Sequence, residues 1–349
     1  MASFNSTLDL NKVKVSTQTI AALSLDDSKL NSAMEKLEKY GFIIISNSPG
    51  KTVTNDEIRE NVLDLKPLFG TAAYHIRADD DGVCPIGNFI AVDIATKEKQ
   101  TKKMKGVCKA TTSDEHEPHT DSTFQKRSDE FLSLTCYQPS LDGGESYVVS
   151  GAAIYEHIKK VLKPSQIRPL FRSDAVTFTR GEESATKAIF TKDEKTGNIV
   201  LVWRKDIIVN KMDEAVHPDA VAGVLAMVSF IEDERNHAVY KLQRNETLLC
   251  NNGAVLHARK SFPDDQIRRL DRLNFFTIGS GAKLDGRLQL GFKEQHTATA
   301  TGNGMLGKKT GDYKKAFPFP AATPRNSIVL STDIDGGSCR RLSIISQAA

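Results

Sequence analysis

Between Phe42 and Ile278 the chain keeps returning to short apolar, β-branched runs cut off by turn residues, and this restricts the folds open to it. Phe42–Ile45 (FIII) is closed by Ser-Asn-Ser-Pro-Gly. Leu132, Leu134 and Cys136 alternate at the strand period of two before a Leu-Asp-Gly-Gly turn at 141–144. Similar runs cover Ala175–Phe178, Ile199–Val209, Glu246–Leu256 and Leu273–Ile278. Helical spacing is confined to a few places. Asp26–Tyr40 puts Leu30, Ala33, Met34 and Leu37 on one face and stops at Gly41, and helices are also predicted for Asn55–Phe69, Gly151–Leu162 and His217–Glu234, the last with Pro218 in its first turn. No repeat is visible. Many short strands with helices at the N-terminus and in one insert predict a mainly β fold with flanking helices (α+β) and a double-stranded β-helix, or jelly-roll, core.

The predicted body spans residues 1–295, with an N-terminal helical buttress to about residue 70, a core over about 71–295 and a helical insert near 212–235. Residues 296–349 differ in kind, with TATATGNG, a lysine-rich loop and FPFPAATP, and read as a basic, low-complexity extension. The whole chain carries a net charge of +3, the extension has seven Lys+Arg against three acids, and the body is left near neutral at −1. Charge therefore announces no nucleic-acid or membrane partner. Five scattered cysteines without a Cys-x-x-Cys pair suggest neither a disulfide framework nor a thiolate zinc site. With no long apolar window and no leader-like start, a cytoplasmic location is expected.

Two clusters carry the chemistry. In Pro118-His119-Thr120-Asp121-Ser122-Thr123-Phe124, strand geometry would aim His119 and Asp121 at one side, so that an imidazole nitrogen and a carboxylate oxygen could share a metal ion. An isolated His-x-Asp is common by chance. The second cluster, NNGAVLHAR at 251–259, runs a strand into a turn and delivers His257, with Arg268 and Arg272 following 11 and 15 residues on. Two histidines and one carboxylate make a facial triad that leaves open positions on a non-haem Fe(II).

HTDSTF, Gly143–Ser146 (GGES), NNGAVLHARKSF and RRLDR, in this order, resemble the Fe(II)/2-oxoglutarate-dependent oxygenases, in particular their taurine dioxygenase and clavaminate synthase-like branch. The helix ending in YGFIIISN at 40–47 is similar to that family's N-terminal entry. The resemblance implies Fe(II), O2 and 2-oxoglutarate as co-substrate, with His119, Asp121 and His257 as iron ligands. Arg268 would pair with the distal carboxylate of 2-oxoglutarate, Arg272 would lie near the same molecule, and the Ser146 hydroxyl would also contact it. It further implies a ferryl-oxo that abstracts a substrate hydrogen, with succinate and CO2 as co-products, and an amino acid or amino-acid-derived small molecule as substrate. Hydroxylation, desaturation and oxidative cyclisation stay open as outcomes. Halogenation is disfavoured because Asp121 supplies the carboxylate that halogenating relatives lack. Arg204 and Asp206, and by position Asn88, are candidate substrate contacts.

Other residues take ordinary readings. Arg259, Lys260 and Arg269 are expected to be surface charges, Glu115, His116 and Glu117 a solvated acidic loop, and His75, His157, His217, His237 and His296 surface or packing residues. Thr179–Ser184 reads as a lid hinged at Gly181 or a plain surface loop. Arg340–Ser343 resembles a kinase site at a length where chance matches are expected. Two further functions stay in view: an oxygenase whose protein or nucleic-acid substrate docks on the basic tail, and a catalytically silent jelly-roll binding protein.

Overall fold

The helix Asp27–Tyr40 starts where Asp26 caps it, its side chain accepting from the Lys29 amide at 3.0 Å, and stops at Gly41 in the left-handed region (φ +77°). A side chain at Gly41 would sit 2.6 Å from Val255, so the glycine also lets the helix end approach the strand that carries His257. The predicted helix over Asn55–Phe69 is two pieces, Asn55–Leu63 and Lys66–Phe69. Pro67 explains the break, because it has no N–H to continue the ladder.

The computed structural model describes residues 9–73, 77–87, 109–207 and 212–294. The chain divides into two units, Met1–His296 and Thr297–Ala349, and the described residues all belong to the first. Asn88, His75, His296, the basic extension and Arg340–Ser343 lie outside them.

The strands, in chain order, are β1 (Lys14–Thr17), β2 (Phe42–Asn47), β3 (Thr71–Ala72), β4 (Cys84–Ile86), β5 (His116–His119), β6 (Phe131–Gln138), β7 (Ser146–Ser150) and β8 (Val176–Arg180). They continue as β9 (Glu183–Lys187), β10 (Phe190–Lys192), β11 (Ile199–Leu201), β12 (His237–Tyr240), β13 (Glu246–Asn251), β14 (Val255–Arg259) and β15 (Arg269–Phe276). The larger sheet runs β1-β2-β13-β6-β15-β3, with β4 also on β15, and the smaller runs β12-β7-β14-β5. This pair of sheets is the jelly-roll core expected from the sequence. All pairings are antiparallel except β1 with β2.

Alternation explains how the larger sheet serves two cores. In β2, Phe42 and Ile44 join the cluster between the sheets, while Ile43 and Ile45 join a second cluster beneath the N-terminal helices. β13 repeats this with Leu248 and Cys250 against Leu249, and β6 with Leu132, Leu134 and Cys136 against Phe131. A strand buried on both faces has to be apolar throughout, which is why FIII reads as a continuous run. The helices Gly151–Val161 and Val221–Glu232 contact each other, and the first also contacts β7 and β14.

Two expectations are corrected and one is refined. The strand predicted over Ile199–Val209 lasts only to Leu201: Trp203 bonds Thr120, and Lys205–Ile207 forms a 3-10 turn. The helix expected from His217 begins at Val221 after a 3-10 turn over Pro218–Ala220. Thr179–Ser184, read as a lid or a plain surface loop, is more regular than that: it forms the end of the β8–β9 hairpin, turned by Gly181 at φ +61°.

Candidate metal centre and co-substrate site

Antiparallel register places His119 on β5 directly opposite His257 on β14, with their ring centroids 4.3 Å apart. Both are buried. His119 Nδ1 lies 2.7 Å from the carbonyl oxygen of Glu117. A carbonyl can only accept, so Nδ1 carries the proton and Nε2 presents its lone pair to the site.

Asp121 arrives by a different route from the one the spacing suggested. β5 ends at His119, and Thr120 turns out of the sheet, its N–H donating to Trp203 O at 2.8 Å. Asn252, in the turn between β13 and β14, then fixes the loop. Its Oδ1 accepts the Asp121 N–H at 2.8 Å, and its Nδ2 donates to the carbonyls of Asp121 (3.2 Å) and Asp129 (2.7 Å). The turn that leads to His257 therefore also holds Asp121. Asn252→Ala should lower stability by roughly 2–5 kcal/mol, since it strands three buried backbone groups; urea denaturation of the full chain measures this, and a loss under about 1 kcal/mol would contradict it.

The two oxygens of Asp121 have separate duties. Oδ2 accepts from Arg272 Nη1 at 3.1 Å and Asn274 Nδ2 at 2.9 Å. Oδ1 faces the Nε2 atoms of His119 (3.5 Å) and His257 (3.8 Å). One atom from each of His119, Asp121 and His257 falls within 4.8 Å of the others. Burial pushes the Asp121 carboxyl up, but the Arg272 cation and the two histidines outweigh it and hold it well below the usual carboxylate range. Burial, with His119 beside it, pushes His257 down to about 3. The set is thus a buried carboxylate and two buried imidazoles, a donor set that suits a divalent transition metal.

A pH dependence follows for the metal-free protein. His257 ordinarily titrates near 6.5, so between about pH 3 and 6.5 the unfolded chain binds a proton that the folded chain refuses. Stability is complete above that window and falls with pH through it, by up to about 1.4 kcal/mol per pH unit from this residue. Urea denaturation at pH 7 and 4.5 should show the loss, and His257→Phe should reduce it. An unchanged slope in the variant would refute the assignment.

Beside this cluster, Ser146 opens β7 and is buried, as is Arg268 just before β15. Arg268 donates from Nε to Gly144 O at 3.2 Å and from Nη2 to Ser146 Oγ at 3.5 Å. Burial pushes its guanidinium down to about 10. Gly144, at φ +67°, lies so close that a Cβ there would be 3.1 Å from Arg268 Cδ. Alternation along β15 aims Leu270, Arg272 and Asn274 between the sheets and Leu273 and Phe275 to the helix side.

Of the remaining sequence candidates, Arg204 forms an isolated bridge with His119 and pairs with Asp206 through Nε–Oδ1 at 2.9 Å. Both are partly exposed at the edge of the cluster. Lys260 and Arg269 are partly exposed, as a surface charge would be, but Arg259 is not: it is 6% exposed, with a guanidinium lying over Phe262 and donating to the Asp114 carbonyl. The segment before His119 is not simply a solvated loop. His116 belongs to β5, its ring 4.0 Å from that of His119, and Glu115 accepts the Tyr147 hydroxyl at 2.8 Å. His237 packs on Tyr147 and His157 on Phe230, as expected.

Sequence reasoning missed Asn252, Asn274 and Asp129. Asn252 was legible only as turn chemistry. Asn274 had a signal, its two-residue offset from Arg272 on a strand. Asp129 had none, since it reaches the site by accepting from Asn274 and from Ser122 Oγ, the latter at 2.7 Å.

Comparison with known proteins bears on this geometry. No curated protein sequence matches the chain. Among solved structures, asparagine oxygenase in complex with Fe(II), 2S,3S-3-hydroxyasparagine and succinate superposes with a TM-score of 0.51 at 14% identity, over 76% of this chain and 94% of that one. A taurine dioxygenase from Burkholderia xenovorans gives 0.50 at 15% identity, over 74% and 86%. The non-haem iron oxygenase OrfP, in complex with Fe, succinate and (3S)-hydroxy-L-Arg, gives 0.50 at 13% identity, over 76% and 94%. These likenesses establish a shared fold. The sequence model of the taurine catabolism dioxygenase TauD, TfdA family matches residues 9–274. That match runs from the N-terminal helices through Asn274 and takes in the whole buried cluster, and the chain belongs to this family of non-haem iron, 2-oxoglutarate-dependent dioxygenases.

Proposed function

We propose that the protein oxidises a C–H bond of an amino acid or amino-acid-derived small molecule, using Fe(II), O2 and 2-oxoglutarate. The observation that carries the reading is the separation of the Asp121 oxygens. With Arg272 and Asn274 on Oδ2, only Oδ1 is turned to the two imidazoles. His119, Asp121 and His257 would hold the iron, a set of three protein donors that suits a non-haem Fe(II) centre. When bound, iron and 2-oxoglutarate supply the oxidising chemistry.

The chain's own contribution is placement and exclusion of water. Arg268 and Ser146 hold the distal carboxylate of 2-oxoglutarate, a fork and a hydroxyl that are already together. Arg272 keeps Asp121 ionised and oriented. Arg204 and Asp206, beside His119 and of opposite charge, suit the carboxylate and ammonium of an amino acid. The neighbours named for hydroxyasparagine and hydroxyarginine complexes point to the same substrate class. Asn88, outside the described residues, stays a candidate contact from its position in the sequence. The catalytic domain is taken as residues 1–295 and the basic stretch 296–349 as an extension. Among the described residues no helix is long and apolar enough to cross a membrane.

The test is succinate release by the full chain with Fe(II), ascorbate and 2-oxoglutarate, screened over free amino acids and N-substituted derivatives. Substrate-dependent release, with a product mass raised by one oxygen or lowered by two hydrogens, is expected. Release only with a protein or nucleic acid, and its loss on removing residues 296–349, would overturn the small-molecule reading.

A further inference from the structure

Tyr240 is the last residue of β12 and pairs with Ser146, the first residue of β7. Cross-strand partners share a face, and the Tyr240 ring joins the cluster between the sheets. There it stacks on Phe42 of β2, with centroids 6.1 Å apart and planes 14° apart. The stack spans the core and fixes where the hydroxyl ends up. Ser146 and the Arg268 guanidinium both act on that hydroxyl, and Tyr240 in turn acts on Arg268, so the three polar groups meet at one place.

The hydroxyl is nevertheless an orphan. Tyr240 is 5% exposed, and its hydroxyl is buried with no partner in hydrogen-bond geometry, the Ser146 oxygen included. Glu246 also acts on it, but the Glu246 oxygens already accept from Ser46 Oγ at 2.7 Å and the Gln243 amide at 2.9 Å, and the Cys250 thiol is a weak acceptor. Burial holds the phenol well above its usual range, so the group is a neutral O–H with a proton to give. A buried donor without an acceptor is costly, and phenylalanine would fill the same place against Phe42 without that cost. An acceptor arriving between Tyr240, Ser146 and Arg268 removes the cost.

We infer that the Tyr240 hydroxyl is a third donor to the distal carboxylate of 2-oxoglutarate, joining Arg268 and Ser146. The inference rests on the proposed function, in that it takes the Arg268–Ser146 pair as the seat of that carboxylate. Arg268 keeps its bond to the Gly144 carbonyl and its attraction to Glu145; what the co-substrate completes is the hydrogen bonding of the phenol. A carboxylate has about four lone-pair sites, enough for a guanidinium and two hydroxyls at once. The third donor is neutral, so it adds recognition of the carboxylate without burying a second cation.

The experiment compares two co-substrates on the full chain loaded anaerobically with Fe(II): 2-oxoglutarate, and 2-oxopentanoate, which has the same length and no distal carboxylate. The variant is Tyr240→Phe, which removes one oxygen and leaves the ring to pack on Phe42. Equilibrium dialysis gives the dissociation constants, and urea denaturation of the metal-free, ligand-free chain gives a second readout. Wild type should bind 2-oxoglutarate at least ~100-fold more tightly than 2-oxopentanoate. In Tyr240→Phe, affinity for 2-oxoglutarate should fall at least ~10-fold and that for 2-oxopentanoate less than ~2-fold, because a hydrogen bond to a charged group is lost only with the dicarboxylate. The urea midpoint of the ligand-free variant should equal or exceed that of wild type, since nothing there pairs with the hydroxyl. Equal losses for both acids, an unchanged 2-oxoglutarate affinity, or a lowered midpoint would each overturn the inference, the last by showing that the phenol already has a partner within the protein. Against a Ser146→Ala background Tyr240→Phe should still weaken 2-oxoglutarate; disappearance of its effect would mean that the phenol only orients Ser146, and would overturn the direct contact. Failure of wild type to distinguish the two acids, or of Arg268→Met to weaken 2-oxoglutarate, would instead overturn the reading of the Arg268–Ser146 pair.

Discussion

Replacing His119 or His257 by alanine is expected to weaken Fe(II) binding at least ~100-fold and to abolish succinate release, with little change in the fold. The reason is geometric. The two imidazoles face each other across adjacent strands, and each supplies one of three donor atoms within 4.8 Å. Alanine removes one of the three donor atoms, and Asp121 Oδ2 cannot take its place because it is already committed to Arg272 and Asn274. Anaerobic Fe(II) titration should be read beside the melting temperature. A variant that keeps wild-type iron affinity would refute the metal centre, whatever its activity.

The second large effect is expected at Arg268. Arg268→Met should raise the dissociation constant for 2-oxoglutarate at least ~100-fold and leave Fe(II) affinity within ~2-fold, since truncating one partner of a buried charge pair costs several kcal/mol. Burial makes the interaction strong: the guanidinium is 4% exposed, and water cannot replace it. The split between metal and co-substrate affinity is the diagnostic part. Equal loss of both would indicate a collapsed site, and unchanged 2-oxoglutarate binding would place the distal carboxylate elsewhere.

How far the site was legible differs residue by residue. His257 and Arg272 could be read because strand periodicity and family spacing agree for them. His119 lies in the buried cluster, but the step from it to Asp121 takes a different route from the one the spacing suggested, since that step assumed a strand continuing through Asp121. The strand ends, and the carboxylate is placed by a hydrogen-bonded turn and by Asn252, 131 residues away. No local pattern encodes a contact of that separation. Arg259 shows the converse error. A charged residue after an apolar run is ordinarily at the surface, and only the pairing of β14 with β7 reveals that it is carried inside.

In the fold, alternation was the most dependable signal where one strand separates two cores, as in Phe42–Asn47 and Phe131–Gln138, because each side chain's face follows from its parity. It was least dependable where the chain leaves regular structure, as after Leu201, where Trp203 takes its hydrogen bonds from Thr120. The local amino-acid order by itself determined which residue types could bind a metal and a dicarboxylate, and that the scaffold would be strands with helical buttresses, because periodicity and donor chemistry are local properties. Only the tertiary structure decided which oxygen of Asp121 faces the imidazoles, that Asn252 and Asn274 hold it, and that Arg259 lies buried, because these depend on strand register and on hydrogen bonds between segments far apart in the chain.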